Sequence, residues 1–284
     1  MTHIGIICAL PVEVAPFTQL IQFEERSWRG TMPCWQGEDE GKTITLVQSG
    51  VGKVHAAVAT QMLISQFAPE AIFSCGTAGS LDPQYQIGDL IVAESTTQHD
   101  YGFILPGKFI PYGLKIETNQ NVEFLRAFPA DGELLRVAKV IGARWNDHAR
   151  IVYGSILTGD QVILSSEKRQ ALVDQFQALA VDMESAAIAQ VACLHAVPFL
   201  AVRGISDYAD ETLPIDTSKL DPNEFGAYAA ASPGEKMRLL TKALSYFALH
   251  PSAFALSLQA RRNIKKAAQT SATFSVNLIR ALNS

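Results

Sequence analysis

Three carboxylates and two hydroxyls in this sequence stand where side chains of their type could do chemistry: Glu13, Glu184 and Asp207, with Thr77 and Ser206. Glu184 and Asp207 bracket an apolar run within residues 180–210, AVDMESAAIAQVACLHAVPFLAVRGISDYAD, which reads as a buried helix followed by a buried strand. A lone charge in a core is very costly. These carboxylates therefore either cap elements and meet water, or line a cleft. Carboxylates working without a metal are the tools of glycosidic cleavage. One protonates the leaving group, another activates water, and negative charge stabilises an oxocarbenium-like transition state.

Other chemistries fail on residue type or on placement. Gly50-Val51-Gly52-Lys53-Val54-His55 resembles a dinucleotide-binding turn, but His55 replaces the last small residue and Glu70 precedes the next strand. A phosphate loop needs Ser or Thr after Gly-Lys, and Val54 is there. Gly204-Ile205-Ser206 begins like a nucleophile elbow, yet Tyr208 takes the fifth position. The six histidines show no paired metal spacing. Cys8, Cys34, Cys75 and Cys193 form no C-x-x-C pair, and read as small hydrophobes of a reducing compartment. No metal and no cofactor is expected.

The elements that must position these groups alternate in type. Strands are expected at 3–10, 43–48, 71–75, 88–94 and 150–157, and helices at 54–66, 131–141 and 167–179. Pro11 suits a first helical turn, with Glu13 placed where the helix dipole favours an anion. Such alternation argues for an α/β domain with a mainly parallel or mixed sheet. Loops at the carboxyl ends of its strands gather into one crevice, and the informative segments 11–13, 49–53, 76–79, 159–160 and 206–207 fall at such ends. Asp182 is expected to cap or pair at the surface, and Lys53 is left without a role.

Residues 99–113 read as an irregular loop that covers a pocket or meets a partner subunit, with His99 and Tyr101 weighed as groups reaching a neighbouring pocket. Residues 208–235 read as a lid, and 236–248 as a closing helix. After Pro251 come the basic cluster Arg261, Arg262, Lys265 and Lys266, then Phe274, Leu278 and Leu282 at helical spacing. A helix docked on the domain or on a partner chain is preferred there to one lying on a membrane. The division expected is a domain at 1–250 and a helical extension at 251–284. With 48% hydrophobic residues and a net charge of -5, the chain is an ordinary globular one and not a general nucleic-acid binder. MTHIGIICALPVEV lacks the basic start of a signal peptide, and no stretch is a membrane span, so a cytoplasmic protein is expected.

The blocks IGIICALPVEVAPF, SGVGKVHAA, CGTAGSL with IGDLIVAE, and VDMESAAIAQV with FLAVRGISD resemble the purine/uridine phosphorylase superfamily, above all its 5'-methylthioadenosine/S-adenosylhomocysteine nucleosidase branch. They occur in the family's order over most of residues 3–210. The resemblance implies a single three-layer α/β domain, a twisted mixed sheet partly closed into a barrel and flanked by helices, assembled as a homodimer. It implies hydrolysis of the N-glycosidic bond of an adenine nucleoside. Glu13 then matches the base that activates water, Asp207 the acid that protonates adenine N7, and Ser206 its orienting partner. Glu184 matches the ligand of the ribose hydroxyls, Met183 the residue packing on the sugar, and Arg203 the arginine close to water and carboxylates. Thr77 stands where the family often has Ser, and Ile163 where a backbone reads the adenine edge.

Departures from the family pattern concern the walls. Val162 replaces an aromatic that stacks on adenine, Leu10 replaces a Met of the ribose pocket, and Val51 lines the same pocket. Phe225 is taken as the aromatic that closes the 5' pocket. Phosphorylases grip phosphate with an N-terminal Gly-rich loop and an arginine, whereas residues 9–17 here hold neither Gly nor Arg. Hydrolysis is therefore expected over phosphorolysis. The other alternative is a non-catalytic nucleoside-sensing module.

Overall fold

The β-branched run at the start forms β1 (His3–Cys8), and Pro11 opens α1 (Pro11–Leu20), since a residue without N–H costs nothing at a first helical position. The structure, a computed structural model, describes residues 2–27, 32–117, 122–146, 149–210 and 251–282. Next come β2 (Phe23–Ser27), β3 (Pro33–Asp39), β4 (Lys42–Gln48), α2 (Lys53–Phe67), β5 (Ala71–Ser80) and β6 (Leu90–Gln98). Two small hairpins follow, β7 (Gly102–Leu105) with β8 (Lys108–Pro111) and β9 (Leu114–Glu117) with β10 (Val122–Leu125). The chain continues through β11 (Phe128–Pro129), α3 (Gly132–Ala143), β12 (Ile151–Thr158), α4 (Ser166–Phe176), β13 (Ala180–Asp182), α5 (Ser185–Leu194) and β14 (Phe199–Asp207). The last described helix, here α6, spans Pro251–Ala281.

One sheet runs in the order β11-β6-β12-β13-β5-β1-β4-β3-β2. β14 lies parallel to β5 and antiparallel to β6, so β5, β13, β12, β6 and β14 close on one another as a barrel. β1 and β4 extend it with parallel pairing, and β3 and β2 with antiparallel pairing. The sheet is mixed, as expected. On one side α2 meets α5 through small residues, Ala56 and Ala59 facing a helix whose Ala186, Ala187, Ala189 and Ala192 are buried. Small side chains there let the helix axes approach closely.

Sequence and structure differ in several places, among them the unexpected strands β2 and β3. β5 does not stop at Cys75 but runs to Ser80, because β14 pairs with it residue for residue from Phe199↔Ile72 to Ile205↔Ala78. The segment 99–113 is not an irregular loop; it contains the β7–β8 hairpin, outside the main sheet. α4 ends at Phe176, since Gln177 turns into the left-handed region (φ 53°).

The tail is helical and docks on the domain. Phe274, Val276, Leu278 and Ile279 share one core cluster with Ile4, Phe17 and Leu46 from near the start of the chain. α6 crosses β14 so closely that a Cβ on Gly204 would lie 2.2 Å from the Ala267 carbonyl oxygen. Ser271 Oγ donates to Val202 O at 3.0 Å, and Arg280 grips the Asp39 carboxylate with two bonds of 2.7 and 2.9 Å. The described part of residues 251–284 thus packs as a helix docked on residues 3–210, as preferred from the sequence. Among the described residues no helix is long and apolar enough to cross a membrane. The expected lid, its closing helix and Phe225 lie outside the described residues, save Tyr208 to Asp210.

Candidate active site

At the carboxyl ends of these strands lies a cavity of about 310 Å³. Ten of the eleven residues singled out in the sequence line it: Glu13, Asp207, Glu184, Met183, Ser206, Thr77, Ile163, Val162, Val51 and Leu10. They come from α1, β5, the β13–α5 turn, the end of β14 and the loops after β4 and β12. The eleventh, Arg203, sits behind the wall, 1% exposed.

Glu13 is held from every side. Its Oε2 accepts from the Ala9 and Leu10 amides, both at 3.0 Å, and its Oε1 from Thr77 N at 2.8 Å and Thr77 Oγ1 at 3.0 Å. A carboxylate offers about four acceptor positions, so the described contacts fill them. Three of the four donors are backbone and fixed. Only the Thr77 hydroxyl can turn aside.

Arg203 explains the burial of so much negative charge. Its Nε lies 2.8 Å from Asp182 Oδ2 and 3.1 Å from Ser185 Oγ; its Nη2 donates to Ser74 Oγ at 2.9 Å and stands 3.8 Å from Glu184 Oε2. Its Nη1 is buried without a hydrogen-bond partner among the described residues. That nitrogen points over Gly76. A Cβ on Gly76 would lie 2.4 Å from Arg203 Nη1 and 2.5 Å from Glu13 Oε1, so only a glycine leaves both groups room. Glu184 Oε1 takes the Gly52 amide at 2.9 Å. Burial pushes the Glu184 carboxyl up to about 7; Arg203 opposes the rise, while Asp182 and Glu13 add to it.

The opposite end of the cavity is looser. β14 carries a bulge, with Ile205 opposite Ala78 and Asp207 opposite Gly79, so Ser206 is the extra residue. Bulges of this kind re-aim side chains next to active sites. Ser206 Oγ donates to Asp207 Oδ2 at 2.8 Å, and the Ala209 amide to Oδ1 at 3.0 Å. Asp207 is only partly buried.

Several participants were missed or misplaced by sequence reasoning. Asp182 is not at the surface. It is 6% exposed, lines the cavity, accepts from Thr158 Oγ1 and from the Glu184 and Ser185 amides, and holds Arg203. Its apolar surroundings in the sequence were the available signal. Gln161 on the loop after β12, and Ala260 and Ile264 on α6, also line the cavity, and nothing local in the sequence marks them. His99, weighed as a group for a neighbouring pocket, is 4% exposed within its own chain, whereas Tyr101 is 43% exposed. Among the described residues no cluster of His, Cys, Asp and Glu could hold a metal ion.

Known proteins resemble this chain in architecture and in sequence. The phosphorylase superfamily model matches residues 3–242. The 5'-methylthioadenosine/S-adenosylhomocysteine nucleosidase of Aeromonas salmonicida is 37% identical over 207 residues, 72% of this chain and 86% of that one. A Helicobacter pylori nucleosidase of the same name, solved as a mutant with 5'-methylthioadenosine in its active site, superposes with a TM-score of 0.74 at 27% identity, covering 99% of this chain and 100% of that one. The futalosine hydrolase of Helicobacter pylori gives 0.73 at 27% identity, over 99% and 98% of the two chains. With the barrel, the cavity and these likenesses in agreement, the chain belongs to the phosphorylase superfamily, in its 5'-methylthioadenosine/S-adenosylhomocysteine nucleosidase family.

Proposed function

We propose that this protein hydrolyses the N-glycosidic bond of an adenine nucleoside with a 5' substituent, of the methylthioadenosine or adenosylhomocysteine kind, releasing adenine and the substituted ribose. The observation that carries the reading is the meeting of Glu13 Oε1 and the partnerless Arg203 Nη1 over the bare face of Gly76. A water beside that face meets an acceptor and a charged donor at once. Thr77, the one movable ligand of Glu13, swings its hydroxyl away as the water binds. The water gives a proton to Glu13 while its oxygen bonds to the anomeric carbon. The electrons of the C–N bond pass to the base, which takes a proton at N7 from Asp207. Ser206 orients that carboxyl, Glu184 holds the ribose hydroxyls, Met183 packs on the sugar and the Ile163 backbone faces the adenine edge. Val162, Val51 and Leu10 supply aliphatic walls, so the base is held between alkyl groups rather than stacked on a ring.

Hydrolysis is favoured over phosphorolysis by charge. Glu13, Asp182, Glu184 and Asp207 line the cavity, and no Lys or Arg does among the described residues. A phosphate dianion would be repelled where a water is welcome. The test is to incubate the protein with methylthioadenosine, adenosylhomocysteine, adenosine, inosine and futalosine, with and without phosphate, and to assay free base. Phosphate-independent adenine release is expected; no base from any of them would overturn the reading.

A homodimer is part of the proposal. Phe103, Ile104, Leu105 and Tyr112 are exposed on and beside the β7–β8 hairpin, and Phe124 on β10. Exposed apolar groups gathered in this way mark association surfaces; sedimentation at micromolar concentration should give twice the chain mass. A cytoplasmic location is proposed on the buried thiols of Cys8 and Cys75, which form no disulfide among the described residues.

A further inference from the structure

Lys53, which the reaction does not use, stands at the centre of a closed ring. Its backbone N–H donates to Asp160 Oδ1 at 2.8 Å, the Asp160 amide donates to Asp100 Oδ2 at 2.9 Å, and Lys53 Nζ returns to Asp100 Oδ1 at 2.6 Å. The ammonium also lies 3.8 Å from Asp160 Oδ2. Three separate segments are thereby tied: the start of α2, the end of β6 and the loop after β12. Two of these segments form walls of the cavity. Next to Lys53 in sequence is Gly52, whose amide meets Glu184; next to Asp160 are Gln161, Val162 and Ile163, which line the other side.

We propose that Lys53, Asp100 and Asp160 are positioning residues that hold the Gly52 amide on Glu184 and fix the spacing between the ribose-side and base-side walls. This rests on the nucleosidase reading above. Gly52 has a positive φ of 98°, a conformation that an unsupported loop leaves readily, and its hydrogen bond to Glu184 depends on that conformation. Asp160 accepts the first amide of α2, a donor with no partner inside the helix. His99 fills the floor of the ring. Its ring stands where any Cβ on Gly159 would fall, 2.2 Å from Nε2, and burial lowers its basicity there.

The charged groups that face Glu184 are Arg203 from β14, Asp182 from β13 and Glu13 from α1, with the Gly52 amide at the start of α2. Those around the ring are Lys53, Asp100 and Asp160, with Lys168 of α4 beyond His99. Removing the Gly52 donor takes away an interaction that favours the ionised Glu184. The acidic limb of kcat/KM against pH must then move upward.

Asp160→Ala decides the matter, because Asp160 is half-exposed and its loss spares the core. If the residue acted only through its charge, removing a negative group would favour the ionised Glu184 and move the limb to lower pH. If it acts by holding Gly52, the limb moves to higher pH and kcat/KM falls about 10- to 100-fold through misplacement. Lys53→Met is expected to give the same upward move, and Lys53→Arg, which can still bridge two carboxylates, to restore most of the loss. A folded Asp160→Ala whose limb is unmoved or moves down overturns the proposal, as does a lowered Tm with unaltered kinetics. Base release by the unaltered chain is measured alongside, so that its absence tells against the nucleosidase reading and not against the ring alone.

Discussion

The two ends of the cavity hold their carboxylates in opposite ways. Glu13 is 3% exposed and grips four donors, with a fully buried guanidinium beyond it. Asp207 is half-buried, carries two hydrogen bonds, and sits on a bulge. One end is tied to backbone donors on two elements, the other is left room to move. The lesson is that the rigid end also belongs to the fold, whereas the looser end contributes little to it.

Exchanging each carboxylate for its amide should break that comparison most sharply. Glu13→Gln and Asp207→Asn should each lower kcat/KM by about 10²- to 10⁴-fold, the usual worth of a general acid or base. Only Glu13→Gln should also destabilise the fold, since its NH2 must face N–H donors; the cost is about 1–3 kcal/mol. Thermal unfolding of the two variants, side by side, measures the asymmetry. Equal losses of stability would refute it.

A narrower probe is Gly76→Ala. The new methyl would collide with both Arg203 Nη1 and Glu13 Oε1, and displacing them should cost about 10²-fold in kcat/KM. Gly and Ala at this point differ by one methyl group and no charge, so a wild-type rate would mean that no water binds there. At the other end Ser206→Ala removes the hydrogen bond to the Asp207 carboxyl and a longer one, 3.3 Å, to the Ala78 carbonyl. It should cost about tenfold in rate, roughly the 1.5 kcal/mol at the upper end for one hydrogen bond, and little in Tm.

A last effect concerns stability against pH. Burial raises the Glu184 carboxyl from 4.5 to about 7 in the folded chain, so folding binds a proton there, and stability present below about 4.5 is lost as pH rises through 7. Glu184→Gln, though inactive, lacks that loss. Its Tm relative to the unaltered chain should therefore rise between pH 4 and pH 8; a constant difference would show that Glu184 does not titrate in that range.

Much of the site was legible because its residues sit in short blocks whose neighbours reveal their placement. Asp207 follows a buried strand, Glu184 opens a buried helix, and Glu13 lies in a turn marked by Pro11. Asp182 was legible only through its apolar neighbours; what compensates its burial is Arg203, a residue 21 positions away whose own burial depends in turn on Asp182 and Glu184. The Lys53 ring joins residues 47 and 107 positions apart, which no local pattern records. The course of β5 past Cys75 was hidden for a similar reason. Glycines usually end strands, yet Gly76 and Gly79 continue because β14 supplies their pairing and side chains occupy the space above them. The basic cluster at 261–266 left a membrane-surface helix open beside a docked one, and the alanines and Phe274 beyond it decide for docking.

The integration of the last helix has a consequence for how the chain is made. Cys75 Sγ meets Ser275 Oγ across 200 positions, and Arg280 meets Asp39 across 241. During synthesis β14, which carries Asp207, must wait for residues near 275 to leave the ribosome before its outer face is covered. Long-range contacts of this kind slow folding and make it a single cooperative event. A nascent chain halted at residue 250 would hold every carboxylate of the cavity and still lack the wall that keeps them in place.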